Sequence, residues 1–533
     1  MTLLLSLILA SSAHFVEVTA AVRLEFTHDA GEKGGYFIGE IMGSGAAFLD
    51  FDGDADLDIY FVQSAVGKPN QLFRQEKDGR FVDVTFEAGV GDRGYGMGVA
   101  VGDIDNDGDV DLYVTKDGPD VLYLNDGEGT FRNVTSAWGA GTDSWSASAA
   151  FCDYDADGFL DLYVTRYVAY DREKKCTQLD GSVDYCAPQV FPGITDVLYH
   201  NEGGRRFADV SVRAGLSQVR APGLGVLCAD LNDDGRLDFY VTNDGEANQL
   251  WLNRGDGTFV DEAFLEGVAL DGAGKPEAGM GITAGDIEGD GDLDLFMTHI
   301  INQTNTLYVR EIGLGYEDRT TAMGLAALSL SRTGFGVGFF DFDHDSDLDI
   351  AVVNGRIKRH PILAGASHSE YWNPYAEPNQ LIENDGSGRF SDRSADAGDF
   401  GKPIEVSRGL AFGDVDSDGD LDLLVVNISA PARLYRNEVR KTGDWLAVRA
   451  IESGRDSHGV RVTVNAGGRR IVRLANPGYS YLSSSDPRAH FGVPKGAKIE
   501  SVEIVWPDGS RETFDRVEAN RSVTLSKGSG ARR

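Results

Sequence analysis

The chain has 533 residues and a formal charge of −36, from 85 acidic and 49 basic side chains. That length exceeds one simple core, so several domains or a large repeat array are expected, and the charge argues against nucleic acid and anionic membrane surfaces as partners. Glycine is abundant at 67 and proline ordinary at 15, which suits an all-β chain with many tight turns; the four cysteines and nine histidines follow no CxxC, CxxCH or HExxH spacing, so zinc fingers, c-type haem and zincin chemistry are unsupported.

The N-terminus reads MTLLLSLILASSA, an apolar run followed by small residues. It is read as the end of a secretory signal over 1–13, although it lacks a basic leading region. No other run is apolar and long enough to span a bilayer.

DFDGDADLD at 50–58 puts an acid at every odd position, an arrangement that makes sense only around a cation. The pattern returns six times, at 103–111, 153–161, 230–238, 286–294, 341–349 and 414–422, a period of about fifty residues with two long insertions. Positions 1, 3, 5 and 9 are the candidate metal ligands. They are Asp50, Asp52, Asp54 and Asp58; Asp103, Asp105, Asp107 and Asp111; Asp153, Asp155, Asp157 and Asp161; and Asp230, Asn232, Asp234 and Asp238. The last three loops supply Asp286, Glu288, Asp290 and Asp294; Asp341, Asp343, Asp345 and Asp349; and Asp414, Asp416, Asp418 and Asp422. Oxygens at positions 1, 3 and 5 can converge on one hard cation, position 6 (Gly in five copies) allows a sharp turn, and position 7 offers its carbonyl. Positions 2 and 8 are apolar and anchor the loop. Each loop runs into a β-rich segment such as LDLYVT, so these are read as calcium loops in β-hairpins rather than EF-hands. The loops hold 33 of the 85 acids and one base, Arg236, which leaves the rest of the chain at a net charge of only −4. Magnesium is the poorer fit, because it demands smaller octahedral sites and keeps its waters.

Around each loop the other segments repeat too. A Gly-rich apolar strand precedes it, as in GYGMGVAVG, and a segment such as VLYLND or QLWLNR follows. A third signature, FVDVTFEAGV at 81 and its equivalents, follows six of the loops; the seventh copy, FVEVTAAVRL, stands at 15–24 instead. The repeats are thus circularly permuted, with the N-terminal strand completing the last sheet, as in a ring that closes on itself. The predicted fold is all-β: a seven-bladed β-propeller over 14–438 with calcium-binding hairpin loops, a small β domain over 439–527, and a disordered tail at 528–533.

Two insertions, 166–193 and 354–379, follow second strands and are expected on the face opposite the hairpins. Their aromatic and basic residues form the candidate ligand face: Arg166, Tyr170, Arg356, His360, His368, Tyr371 and Trp372. Loops that merely pack over the rim are the competing reading. Cys176 and Cys186 flank a short loop and are expected to form a disulfide, in keeping with export. Cys152 and Cys228 lie on apolar strands beside calcium loops and are expected as buried free thiols rather than as a second bridge.

These loops and blades resemble FG-GAP/VCBS-type repeats, as in the integrin α-chain propeller, over residues 15–438. The C-terminal segments NPGYSYLSSSD, AHFG and VEIVWPDGS resemble the ASPIC/UnbV domain, and the whole chain resembles a bacterial member of the cartilage acidic protein family without its EGF-like module. Asn476-Pro477 and Gly492-Val493-Pro494 depart from that domain's glycine-rich turns. The resemblance implies architecture more than activity.

The functional expectation is a secreted, periplasmic or cell-surface binding or adhesion module holding about seven structural Ca²⁺ ions. Its partner would be an unidentified extracellular protein, glycan or small molecule. The alternative is an enzyme of natural-product or cell-surface metabolism using the face opposite the loops, with His360, His368 and Tyr371, or His28 and Asp29, as the residues to consider. No GxSxG, HExxH, phosphate loop or triad supports it, and no catalytic residue is assigned.

Overall fold

A computed structural model describes residues 14–178, 181–311 and 313–532. The signal-like segment 1–13 lies outside the described residues.

Seven four-stranded antiparallel sheets follow one another along the chain. Blade 1 is built from Ala46–Leu49, Asp58–Phe61, Gln71–Gln75 and Phe81–Asp83. Blade 2 repeats it with Gly96–Gly102, Asp111–Lys116, Val121–Asn125 and Phe131–Asn133. Blades 3 to 6 begin at Ser146–Cys152, Gly223–Ala229, Ile282–Gly285 and Gly334–Phe340. Blade 7 contains Ser407–Gly413, Asp422–Asn427 and Arg433–Asn437, and its fourth strand is Phe15–Glu17, with Phe15 opposite Asn437. The first strand of every blade contacts that of the next, and blade 7 contacts blade 1, so the ring closes. The chain is a seven-bladed β-propeller, and the exchanged N-terminal strand fastens the ring.

Seven apolar cores lie between neighbouring blades rather than in one centre. Alternation along each strand sends one set of side chains to each neighbour. The blade 1–2 core, for instance, takes Ala47, Leu49, Tyr60 and Leu72 from one sheet and Val99, Val101, Leu112 and Val114 from the other. Near the axis there is no room for side chains: a Cβ on Gly225 would stand 2.5 Å from the Met280 carbonyl oxygen of the next blade. The Gly-rich first strands are therefore a steric requirement of the ring.

After blade 7 the chain forms a two-sheet β domain. One sheet pairs Asp444–Glu452 antiparallel with Ala489–Val493 and parallel with Arg521–Ser526. The other carries Arg469–Ala475, Val460–Ala466, Ile499–Val505 and Arg511–Phe514. The expected disordered tail is corrected at its described end: Ala531–Arg532 pairs with Arg511–Phe514 as one more strand.

The domain sits on the hairpin face and sends its 476–486 segment into the propeller axis. Ser480 N–H donates to the Ile282 carbonyl at 2.7 Å, Val99 N–H donates to Leu482 O at 3.1 Å, and Ser484 N–H donates to Ala46 O at 3.0 Å. Leu482 N–H reaches Ser148 Oγ, Asn476 donates to Cys228 O, and Val337 and Phe412 N–H groups donate to the hydroxyls of Ser480 and Ser485. All seven first strands are thereby bonded to one inserted segment. From the other side the short helix Ile38–Met42 and the two insertions close the channel.

Candidate metal centres of the hairpin loops

The seven loops share one hydrogen-bond scheme. The position 1 carboxylate accepts the position 6 N–H, at 2.9 Å for Gly108 to Asp103 and 3.1 Å for Gly419 to Asp414. Position 9 uses both oxygens: Asp111 accepts Ile104 N–H at 2.9 Å and Asn125 N–H at 2.8 Å, so it ties the loop to the third strand. Both contacts recur in all seven blades. Positions 4 and 6 take positive φ in every copy, as at Asn106 (61°) and Gly108 (101°), which curls the backbone around the carboxylates.

The side chains converge as the spacing predicts. Ligand oxygens of Asp50, Asp52 and Asp58, of Asp103, Asp105 and Asp107, of Asp153, Asp155 and Asp157, and of Asp341, Asp343 and Asp349 lie within 4.8 Å of one another. Burial pushes their protonation upward, Asp105 to about 6, Asp341, Asp345 and Asp414 to about 7, and Asp58 to about 8, even though Arg473, Arg469 and Arg488 partly oppose it at Asp341, Asp345 and Asp414. The Oδ1 atoms of Asp50, Asp52, Asp103, Asp105 and Asp414 are buried and accept no hydrogen bond. Buried carboxylate oxygens without donors cost free energy unless a cation meets them. The donor set is all oxygen, the kind hard divalent ions take. Asn232 keeps an oxygen for that set, although its amide also donates to Asp234 at 3.0 Å.

Three features of the loops escape sequence reading. The first is the third-strand asparagine. Asn125 Nδ2–H donates to the Phe51 carbonyl of the preceding loop at 2.8 Å, and Asn201, Asn253, Asn384 and Asn437 repeat this from blade to blade. Gln75 closes the circle on Val415 O at 2.9 Å, and the Tyr316 hydroxyl substitutes at Leu231 O. The recurring Asn of LYLND and LWLNR was the available signal. The second is the left-handed position 4, which holds Gly, Asn, Ala, Asp, Gly, His and Ser and so has no residue signature. The third is a set of arginines on the C-terminal domain. Arg455 donates to Asp153 Oδ2 at 3.0 Å with both groups buried, Arg461 pairs with Asp233 and Asp230, Arg469 with Asp347, and Arg473 with the Ser346 carbonyl.

Of the candidate ligand face, Arg356 and Trp372 are buried, and Arg166, Tyr170, His360, His368 and Tyr371 are half-buried. Trp372 is 1% exposed, Arg356 is buried in an ion pair with Glu377 at 3.1 Å, and Tyr170 packs on Phe37, Trp145 and Phe191. His368 binds the Ile428 carbonyl at 2.7 Å, Tyr371 shares a 3.0 Å hydroxyl contact with Tyr185, and Arg166 bonds to the Thr195 carbonyl. Of that set, His360 is half-buried and on the loop surface beside exposed Lys358 and Arg359. Trp372 belongs to the apolar cluster that closes this end of the channel, and Tyr170 and Tyr371 pack against that cluster. His28, one of the residues considered for catalysis, is buried between Ser64 Oγ at 2.9 Å and Ser429 N–H at 3.2 Å, and burial lowers its pKa to about 4.

Both cysteine pairs are disulfides. Cys176 joins Cys186, and Cys152 joins Cys228 where free thiols were expected. The second bridge spans 76 positions because neighbouring first strands bring the two residues together.

With this geometry in place, comparison with known proteins adds names. A family described as FG-GAP-like repeat matches residues 50–114, 103–164 and 230–297, and one described as ASPIC and UnbV matches 451–532. The chain carries FG-GAP repeats and a C-terminal ASPIC/UnbV domain. It is 26% identical over 308 residues to human cartilage acidic protein 1, covering 56% of this chain and 43% of that protein, and 24% identical over 325 residues to the Xenopus tropicalis protein, covering 60% and 46%. It therefore spans less than half the length of these relatives. Among solved structures it is similar to a lectin from Burkholderia pseudomallei (TM-score 0.41, 9% identity, covering 75% of this chain and 99% of that one). An Agrocybe aegerita lectin gives TM-score 0.37 at 15% identity, covering 74% and 90%.

Proposed function

We propose that this FG-GAP repeat propeller is an exported binding module whose hairpin loops hold structural calcium. The observation that carries the calcium reading is the set of buried Oδ1 atoms on Asp50, Asp52, Asp103, Asp105 and Asp414 with no donor to meet them. Positions 1, 3 and 5 would supply side-chain oxygens, position 7 a carbonyl and position 9 a second bond from its already anchored carboxylate. Calcium suits a seven-fold or looser oxygen shell of this kind better than magnesium does. The ions would neutralise the loops and stiffen each first hairpin, and their binding free energy would become folding free energy.

Two disulfides support an oxidising compartment, and among the described residues no helix is long and apolar enough to cross a membrane. The plugged axis favours binding over catalysis. At the axis a cavity of about 70 Å³ remains where Arg473, Asp486 and His490 meet the first strands, whereas an open cleft of about 600 Å³ lies at the rim beside Asp52, Asp54 and Arg74. The partner would then meet an outer surface: the exposed part of the 354–379 insertion, with Lys358, Arg359 and Ile362, is the segment we assign to contact. Lys358→Glu with Ile362→Ser, both exposed, should leave calcium-dependent melting intact and abolish adhesion of the protein to its native cell surface or matrix. Retained adhesion would place the contact elsewhere.

A further inference from the structure

Blade 3 differs from the other six at its loop. The third-strand residue before the inter-blade polar residue is His200 in blade 3, the one nitrogen ligand at this position; it is Leu124, Leu252 and Val309 in blades 2, 4 and 5, Arg74 in blade 1 and Glu383 in blade 6. His200 Nδ1 lies 3.0 Å from Asp161 Oδ1 and 3.3 Å from Asp155 Oδ2. One ligand atom from each of these three residues falls within 4.8 Å of the others. Blade 7 puts Arg436 in the same place, 3.2 Å from Asp416, but a guanidinium has no lone pair to give, whereas an imidazole does.

The position 1 carboxylate of blade 3 is also engaged elsewhere. Asp153 Oδ1 accepts Asp157 N–H at 3.1 Å, and Oδ2 accepts Gly158 N–H and the buried Arg455 at 3.0 Å. In blades 4, 5 and 6 the corresponding Oδ1 atoms also accept the position 5 N–H, and in blades 1, 2 and 7 those of Asp50, Asp103 and Asp414 accept nothing, so what distinguishes Asp153 is the fully buried arginine bound to it. A fixed positive charge on Asp153 weakens the calcium position of this loop and leaves the negative charge at Asp155 and Asp161, where the imidazole stands.

The geometry points to a transition-metal site in blade 3, in which His200, Asp155 and Asp161 take a borderline divalent ion of the zinc or cobalt class in place of calcium. The ligand separations match the edges of a coordination shell with bonds of about 2.0–2.2 Å. A mixed nitrogen and oxygen set favours such ions, while calcium prefers oxygen alone. Asp155 is partly exposed, which gives the ion a way in, and Asp161 Oδ1, the oxygen facing His200, also accepts Asn201 N–H at 2.8 Å, which fixes its position. Only the competition with calcium rests on the function proposed above; the three-ligand site stands without it.

The test uses the full chain, stripped with chelator and then saturated with calcium. Cobalt(II) is titrated in and followed by its visible d–d absorption, with metal per chain counted by elemental analysis. One cobalt per chain that survives excess calcium, is displaced by zinc, and is lost in His200→Gln with the other ions retained supports the site. Cobalt that excess calcium displaces completely, or that binds His200→Gln as well as the parent, overturns it and leaves His200 a hydrogen-bond partner of Asp161. If His200→Gln does not fold, anomalous scattering at the cobalt edge from crystals of the parent decides: a peak between His200 and Asp161 supports the site, and its absence overturns it. Loss of all calcium binding with cobalt retained would refute the calcium reading alone.

Discussion

Individual buried polar groups hold this molecule in register. Arg408 is fully buried at the axis, its Nε–H bonded to Ile41 O at 2.8 Å and its terminal nitrogens to the carbonyls of Gly355, Ser407 and Arg356, above the Phe335 ring. Arg408→Met keeps the bulk and leaves those carbonyls unpaired, at about 1–3 kcal/mol per group. Urea unfolding in calcium should show a loss of at least about 3 kcal/mol; an unchanged midpoint would refute the role. Histidines give a pH signature. Burial holds His28, His299 and His458 neutral, each with its pKa lowered from 6.5 to about 4. The unfolded chain binds these protons first, so the contribution is intact above pH 6.5 and is lost as pH falls toward 4. His28→Gln should make stability between pH 6 and 5 less steep by about 1.4 kcal/mol per pH unit; an unchanged slope in urea titrations would contradict the assignment.

At the scale of the hairpin, loop and third strand form one unit. Asp103→Asn removes charge from position 1, where Oδ2 holds Gly108 N–H and Oδ1 faces the proposed ion. It should lose one calcium per chain and lower Tm. Asp109→Asn at position 7, whose side chain is outside the proposed ligand set, should change neither, and equal losses from both variants would show that only bulk charge matters. Asn125→Ala breaks the bond to Phe51 O across the blade boundary and should cost about 1–3 kcal/mol in calcium. Much of this unit was legible in the sequence. Seven in-phase loops marked the candidate ligands, and the displaced FVEVT segment marked the closure through Phe15–Glu17 that the sheet pairing shows. The left-handed position 4 was not legible, because any residue that tolerates φ near 60° serves there. Neither was the function of the insertion aromatics, since Tyr371 and Trp372 read alike whether they bind a ligand or fill a hole. Cys152 and Cys228 looked like core residues because pairing depends on which strands lie side by side.

At the scale of the whole chain, two pieces that read as separate domains act as one. The C-terminal domain has its own core, around Val448, Val462, Phe491 and Trp506, but it also bonds to five of the seven loops, the blade 5 loop through Arg461 to Gly291 O, and fills the propeller axis with 476–486. Its NPGYSYLSSSD segment has no repeat or periodicity, so nothing in its pattern foretold that all seven first strands would bond to it. Tyr481 is fully buried there, with its hydroxyl donating to Met42 O at 3.3 Å. Tyr481→Ala should lower the stability of propeller and C-terminal domain together, by about 3–5 kcal/mol, in a single transition. Two separate transitions, with the propeller unchanged, would contradict the coupling.

In the proposed reading, calcium in the hairpins holds the ring together. The most direct measurement is thermal unfolding of the purified chain with and without EGTA, with bound calcium counted by elemental analysis. A site kept at a hundredfold its dissociation constant contributes about 2.7 kcal/mol, so several sites should move Tm by more than about 10 °C. The account predicts six or seven calcium ions per chain, six if blade 3 holds the transition metal, and a fall of that size on chelation. Protein that carries no calcium and melts at the same temperature in EGTA would contradict it.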